Sequence, residues 1–370
     1  MRKRMLITST DLMMIQFLVP HVQNLSEHGW KIDVACSVVG NRIEEVRTAL
    51  KGSAYIHTVR LHRNPLNPEN IKGYGDMKKV INSDHWDVIW TNEPVMGIVT
   101  RLAARKARKT GTKVVYMVHG FHFYKGAPAL NWMLYYPIER WASRFSDMIV
   151  TINKEDYARA KNFHAKRVEY LPGIGLDLKK YDTETDRQKL RKSLGVSEND
   201  FLLMSVGELS KRKNHKAVIK AISELNNSHI RYIICGKGPL KKALNDYVNK
   251  LGLKGKVLFL GYRKDVWHLY KAADVFLFPS IQEGLPRALM EAMASGLPVI
   301  ASRIRGNTDL VTEKKGGFLV NTRNSGEYAR AIESILKNSQ MRTEMGEYNL
   351  KIICGYDYAI IAQKLQKLFE

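Results

Sequence analysis

Glu283 and Glu291 lie eight positions apart in the most informative stretch of the chain, which runs from Phe278 to Ile300. Pro286 suits the first position of a helix, and Gly296 followed by Pro298 suits its stop, so the stretch reads as strand, loop, helix, turn, strand. The amides of Gly284 and Leu285 then stand at a helix N-terminus, where unsatisfied N–H groups and aligned peptide dipoles attract an anion. Carboxylates on either side can accept hydrogen bonds from sugar or ribose hydroxyls. The combination suits a nucleotide sugar. Taken alone, each glutamate equally suits a solvated or capping role; their placement at a strand's carboxyl end, with phosphate-ready amides between them, favours the ligand.

A second constellation follows the strand-like run Phe201 to Gly207, where Lys211, Arg212 and Lys213 stand in a row. Three cations just past a strand end can neutralise a diphosphate, or simply form a surface cluster in a basic chain. A third, Gly236-Lys237-Gly238-Pro239, is a tight turn where a base or phosphate could approach the backbone; it is only a fragment of a dinucleotide fingerprint. In the first half, His119 and Gly120 follow the run Val114 to Val118. His119 and His122 have no third ligand in sight, which argues against zinc.

The elements that must position these residues alternate in type. Met5 to Thr8, Lys31 to Ser37, Asp87 to Trp90, Lys113 to His119 and Asp147 to Thr151 read as strands, and Phe17 to Gly29 and Gly97 to Thr110 have helical spacing. Near-continuous apolar strands belong to parallel sheets covered on both faces. A polar stretch over 172–200 reads as a linker, after which Phe201 to Gly207, Ile230 to Cys235, Val257 to Leu260, Asp274 to Pro279 and Val299 to Ser302 restart the alternation. The expectation is an α/β fold of two doubly wound domains, over 1–172 and 173–352. A final amphipathic helix within 353–370 packs either back on the first domain or on its own. Ligands of such domains lie beyond the carboxyl ends of the strands.

Length and composition agree. At 370 residues the chain exceeds the ~150-residue domain scale, and 45% hydrophobic with 26% charged residues is ordinary for globular proteins. The net charge of +23 is less ordinary and points to phosphates, nucleic acid or acidic lipid. It is spread evenly, +11 over 1–172 and +12 over 173–370, without a basic tail or a nucleic-acid-binding module. Three distant cysteines exclude a disulfide framework and fit a reducing compartment. The N-terminus lacks the apolar core of a signal peptide, and no window approaches ~18 uninterrupted apolar residues, so the expected location is cytoplasmic or membrane-peripheral.

Together these residues resemble the retaining glycosyltransferases of family 4, whose GT-B architecture has two Rossmann-like domains facing across a donor-binding cleft. The resemblance covers almost the whole chain, and its most specific element is the Glu-x7-Glu spacing of Glu283 and Glu291 within Ser280 to Ala301. It implies that Glu291 holds the donor ribose, Glu283 the donor sugar and the Gly284 and Leu285 amides the diphosphate. Lys213, following Gly207, matches the family's diphosphate-binding lysine. Glu208 stands where the family usually has arginine, with Arg212 as the nearest substitute. Gly236, Gly238, Tyr262 and Arg263 resemble the segments around the nucleobase, and His119 the acceptor-side histidine. Glu283, Lys213 and His119 are therefore the expected catalytic residues. A glycine-rich loop common after the first strand is replaced here by Ser9 to Met14.

Within the family, Val118 to Tyr124 and Val206 to Leu209 look most like bacterial enzymes of capsular, exopolysaccharide or lipid-linked oligosaccharide assembly. That implies a UDP-sugar donor of hexose or N-acetylhexosamine type and a polyprenyl-diphosphate-linked acceptor. It also implies retention at the anomeric carbon, no metal and no other cofactor. Arg101 to Lys109 and the aromatic stretch Phe121 to Trp141 suit an anionic membrane surface at the inner face of the cell membrane, or else an ordinary solvated face and core. A GDP-sugar transferase is the nearest alternative. A basic nucleic-acid- or membrane-surface-binding protein without catalysis is another, but it leaves Glu283 and Glu291 no role. A nicotinamide enzyme should carry a complete Gly-x-Gly-x-x-Gly, which is absent.

Overall fold

The structure, a computed structural model, describes residues 2–37 and 43–370. Seven strands form the first sheet: β1 (Arg4–Asp11), β2 (Lys31–Ser37), β3 (Ala54–Thr58), β4 (Val88–Asn92), β5 (Lys113–Val118), β6 (Met148–Thr151) and β7 (Arg167–Tyr170). Six form the second: β8 (Phe201–Val206), β9 (Ile230–Cys235), β10 (Val257–Gly261), β11 (Val275–Phe278), β12 (Val299–Ser302) and β13 (Gly317–Val320). Their orders are β3-β2-β1-β4-β5-β6-β7 and β10-β9-β8-β11-β12-β13, and all described pairings are parallel. Both are Rossmann-like, as expected.

The strands form because both faces are covered. Along β8, Leu202 and Met204 enter one core with Phe276 and Phe278 of β11, while Leu203 enters the other with Val275 and Leu277. Alternate residues thus anchor opposite faces of one sheet. In each sheet the winding reverses at the centre, between β1 and β4 and between β8 and β11, and such a switch point leaves a crevice past the strands' carboxyl ends. The loops after β8 and β11 carry Lys213 and Glu283.

Three strands escape the sequence patterns. β3 and β7 are edge strands with half-buried, polar-mixed residues, and the third, β13, is only four residues long at the other sheet's edge. The expected helix over Gly97 to Thr110 is two, Pro94–Ala103 and Arg105–Lys109, broken at Ala104.

The stretch over 172–200 is not a free linker. Its helix, Arg187–Ser193, is capped by Asp186 accepting from the Lys189 amide, and the buried Arg191 pairs with Asp274 at 3.2 Å. The chain divides at Gly175: one unit runs to that residue and regains Ala359–Glu370, and the other is Leu176–Tyr358. Leu176 and Asp357 pair where the two connections meet. In the first unit the terminal helix, Tyr358–Phe369, lays Phe369 against Trp90 with ring centroids 5.3 Å apart, and Gln366 bonds Asn24 at 3.1 Å. Among the described residues no helix is long and apolar enough to cross a membrane.

Phe369 is 1% exposed, so Phe369→Ala should destabilise the first unit by about 3–5 kcal/mol through lost burial and the cavity left behind. Five of the six tryptophans lie in that unit, which makes the urea midpoint of tryptophan fluorescence the measurement.

Candidate functional site

Lys213 and Glu283 meet at the second unit's switch point. Lys213 Nζ donates to Glu283 Oε1 at 2.7 Å, Arg212 Nη1 donates to the same oxygen at 2.8 Å, and Ser280 Oγ donates to it at 2.5 Å. Local structure brings them there. Asn214 takes a left-handed φ of 51°, which asparagine tolerates, and turns the chain into the helix His215–Leu225. Its amide donates to the carbonyls of Pro279 (3.2 Å) and Thr322 (2.8 Å), fastening the loop after β8 to those after β11 and β13. The Ile281 amide closes the pair on the Arg212 carbonyl at 2.9 Å.

A Cβ on Gly207 would lie 3.2 Å from the Lys213 side chain, which runs over it, so glycine leaves that side chain its room. Lys213 Nζ also sits 4.5 Å from the Phe278 ring centroid, a cation–π contact. Burial pulls the Lys213 ammonium below the usual lysine range, and the Glu283 carboxylate partly restores it. Arg212 is more open, with 43% of its side chain exposed.

Pro286 is the N-cap of the helix Arg287–Ala294 rather than its first residue, one position later than the sequence suggests. The Gly284 and Leu285 amides still precede that N-terminus. Arg305 and Gly306, after β12, support the loop from below: Arg305 Nε donates to the Glu283 carbonyl at 3.0 Å, and a Cβ on Gly306 would strike the Gly284 oxygen at 2.2 Å. Glu291, on the same helix, accepts from Arg287 Nε at 3.0 Å and Tyr270 Oη at 3.2 Å, and its charge helps raise the pKa of the neighbouring Tyr181.

The glycines Gly236 and Gly238 have a different reason from ligand approach alone. Cβ atoms on them would lie 1.9 Å from the Gly207 oxygen and 2.6 Å from the Leu209 backbone. The two loops pack backbone to backbone, and only glycine allows it. At their rim Tyr262 is 57% exposed, and Arg263 is held by Asp265 at 2.8 and 2.6 Å.

His119 lies in the first unit, past β5. Asn92 donates to the Thr8 carbonyl at 3.2 Å, which orients its Oδ1 to accept from His119 Nε2 at 3.0 Å and leaves Nδ1 as an acceptor. Burial lowers the imidazole to about 4. Around that unit's switch point, the β1 end carries Asp11, paired with Arg63. Glu93 has a φ of 64°, accepts from Ser9 Oγ (2.7 Å) and the Thr10 amide (2.9 Å), and has its pKa raised by burial. Asp11 lies in the Ser9 to Met14 segment that stands where the family commonly has a glycine-rich loop, and Glu93 reaches it from the end of β4.

Sequence reasoning missed Ser280, Asn214, Arg305, Tyr270 and Arg287. Ser280 and Arg287 lay inside the quoted motif, and Asn214 directly follows its cations; Arg305 and Tyr270 carried no local signal.

Because folded His119 protonates only near 4 while an unfolded histidine does so near 6.5, the unfolded state takes up the proton first as pH falls. The contribution of His119 is flat above 6.5 and costs up to roughly 3 kcal/mol of stability between 6.5 and about 4. His119→Gln should flatten that part of the first unit's urea-midpoint profile; an unchanged slope would contradict the assignment.

Two family models match the chain. The model for glycosyl transferases group 1 matches residues 186–352, and a glycosyl transferase 4-like model matches 6–153. EpsD of Bacillus subtilis (strain 168), whose name places it among glycosyltransferases, is 33% identical over 377 residues, spanning 100% of this chain and 97% of that protein. An Escherichia coli protein named UDP-Gal:alpha-D-GlcNAc-diphosphoundecaprenol alpha-1,3-galactosyltransferase is 28% identical over 327 residues, 84% of each chain. Anabaena Alr3699/HepE, solved in complex with UDP, superposes with a TM-score of 0.80 at 22% identity over 99% of both chains. The chain belongs to the group 1 glycosyltransferases, as an enzyme of GT-B type with two parallel-sheet Rossmann-like domains.

Proposed function

We propose that this enzyme moves a hexose or N-acetylhexosamine from a UDP-sugar to a polyprenyl-diphosphate-linked saccharide in surface polysaccharide assembly, with retention and without a metal. The observation that carries the reading is the meeting of Lys213, Arg212 and Glu283 beside the Gly284 and Leu285 amides, at the switch point between β8 and β11. Two cations and a helix N-terminus on one spot neutralise a departing diphosphate. Glu283, bound here by three donors, is placed to accept sugar hydroxyls, and Glu291 those of the ribose. The name of the Escherichia coli relative supports the UDP donor and the lipid diphosphate. A membrane-held acceptor accords with the net charge of +23 and places the enzyme on the inner face of the cell membrane.

In the transfer, the bond from the anomeric carbon to the β-phosphate oxygen breaks while an acceptor hydroxyl oxygen bonds that carbon from the same face. The hydroxyl proton passes to the departing phosphate. Lys213 and Arg212 stabilise the charge that develops there.

Glu283→Gln or Lys213→Ala should lower transfer per folded molecule by about 10²-fold or more, together with a lower melting temperature because each breaks the buried pair. Unaltered turnover in either contradicts the site. Thermal shifts with UDP, GDP and ADP identify the base: at a hundredfold excess over Kd the true nucleotide should stabilise by about 2.7 kcal/mol, and a larger effect of GDP would reassign the donor.

A further inference from the structure

We propose that the outward face of the helix Ala129–Ala142, flanked by the exposed cations of the helix Arg105–Lys109, docks on an anionic lipid bilayer. The inference rests on the membrane-held acceptor above and gives it a surface. At 3.6 residues per turn, Leu130, Met133, Leu134, Pro137, Ile138 and Trp141 share one face of the helix. That face points to solvent: the five large side chains among them are between 43% and 72% exposed. A surface helix normally turns polar residues outward.

The rotation of this helix is fixed from behind. Glu139, on the opposite face, accepts from the buried Arg101 at 2.8 Å and from Tyr116 Oη at 3.2 Å, while Arg101 lies 4.1 Å over the Tyr116 ring. Trp132 packs on Phe123 and Arg159 on the same inner side. Turning the apolar stripe inward would break a buried ion pair, which costs several kcal/mol.

Charge selects the occupant. From Pro94 to Ile138 the chain has seven basic residues and no aspartate or glutamate. Arg101 is buried and Arg108 pairs with Asp147, but Arg105, Lys106 and Lys109 are exposed. They adjoin the stripe: Arg105 lies 5.6 Å from the Phe145 ring, which meets Trp141 edge-on at 5.2 Å. Arg140 and Arg144 are exposed at the same end, and Lys125 is exposed just before the helix. Exposed Leu, Met, Ile and Trp beside Lys and Arg match the headgroup boundary of a bilayer rich in acidic lipid, with the tryptophan at the interface. Leu134 and Ile138 also line a groove of about 560 Å³ with Leu66, Val95 and Val99. Arg63 and Glu93 lie in the same groove, so the docking face continues into the first unit's switch-point residues.

Flotation of the full chain with phosphatidylcholine vesicles, with and without phosphatidylglycerol, tests the proposal. The chain should float with the anionic vesicles alone and release as salt is raised. Met133→Glu with Trp141→Glu should weaken vesicle binding about tenfold or more, while melting and transfer to a water-soluble acceptor analogue stay unchanged. Charge reversal at Arg105, Lys106 and Lys109 should abolish the preference for acidic lipid. Failure of the parent chain to float, or equal flotation of parent and double variant, overturns the proposal. So does a parent dimer in sedimentation that the double variant dissociates without any vesicle binding. Flotation as expected from a chain that transfers no sugar supports the docking face and removes the acceptor reading instead.

Discussion

One carboxylate oxygen organises the strand-end loops of the second unit. Glu283 Oε1 takes hydrogen bonds from Ser280 on its own loop and from Arg212 and Lys213 on the loop after β8, tying together the two segments that follow the central strands. Lys213 is buried deeply enough that an unpaired ammonium would be costly, so the carboxylate is a requirement of the fold as well as a group for chemistry. Other features follow from the pairing. Gly207 leaves room for Lys213 to pass, Asn214 adopts a left-handed turn, and Arg305 with Gly306 packs against the Glu283–Gly284 backbone. Gly236 and Gly238 continue the same close packing outward. The result is a cluster of charge held in place beside a helix N-terminus.

Topology decides where such a cluster can form. Both sheets reverse their winding at the centre, and each unit holds a cluster of paired charges there: Glu283 and Lys213 in one, Asp11, Arg63 and Glu93 in the other. The unusual φ of Glu93, in a non-glycine residue preceding a proline, is held by bonds from Ser9 and Thr10. Strain of this kind persists where the surroundings over-determine it.

Much of this was legible in the sequence, because parallel strands buried on both faces are written as unbroken apolar runs and loops at their ends as glycines and charges. The Glu283 and Glu291 spacing, the cations before Asn214 and the glycine turns all fell at strand ends. Edge strands were not legible, since β3 and β7 mix polar and apolar residues without a clean period. The stretch over 172–200 read as a linker because its contacts are long-range: Arg191 reaches Asp274 across 83 positions, which no local pattern can reveal. Arg305 was hidden for the same reason. The basic stretch Arg101 to Lys109 read as one exposed face, whereas two of its arginines are consumed by Glu139 and Asp147.

In the proposed site Lys213 serves the phosphate farther from the nucleoside. Calorimetric titration of UDP and UMP into the parent chain and into Lys213→Met separates this role from a purely structural one. The parent should bind UDP more tightly than UMP, and the variant should bind the two alike. A preference for UDP that survives in Lys213→Met would contradict it.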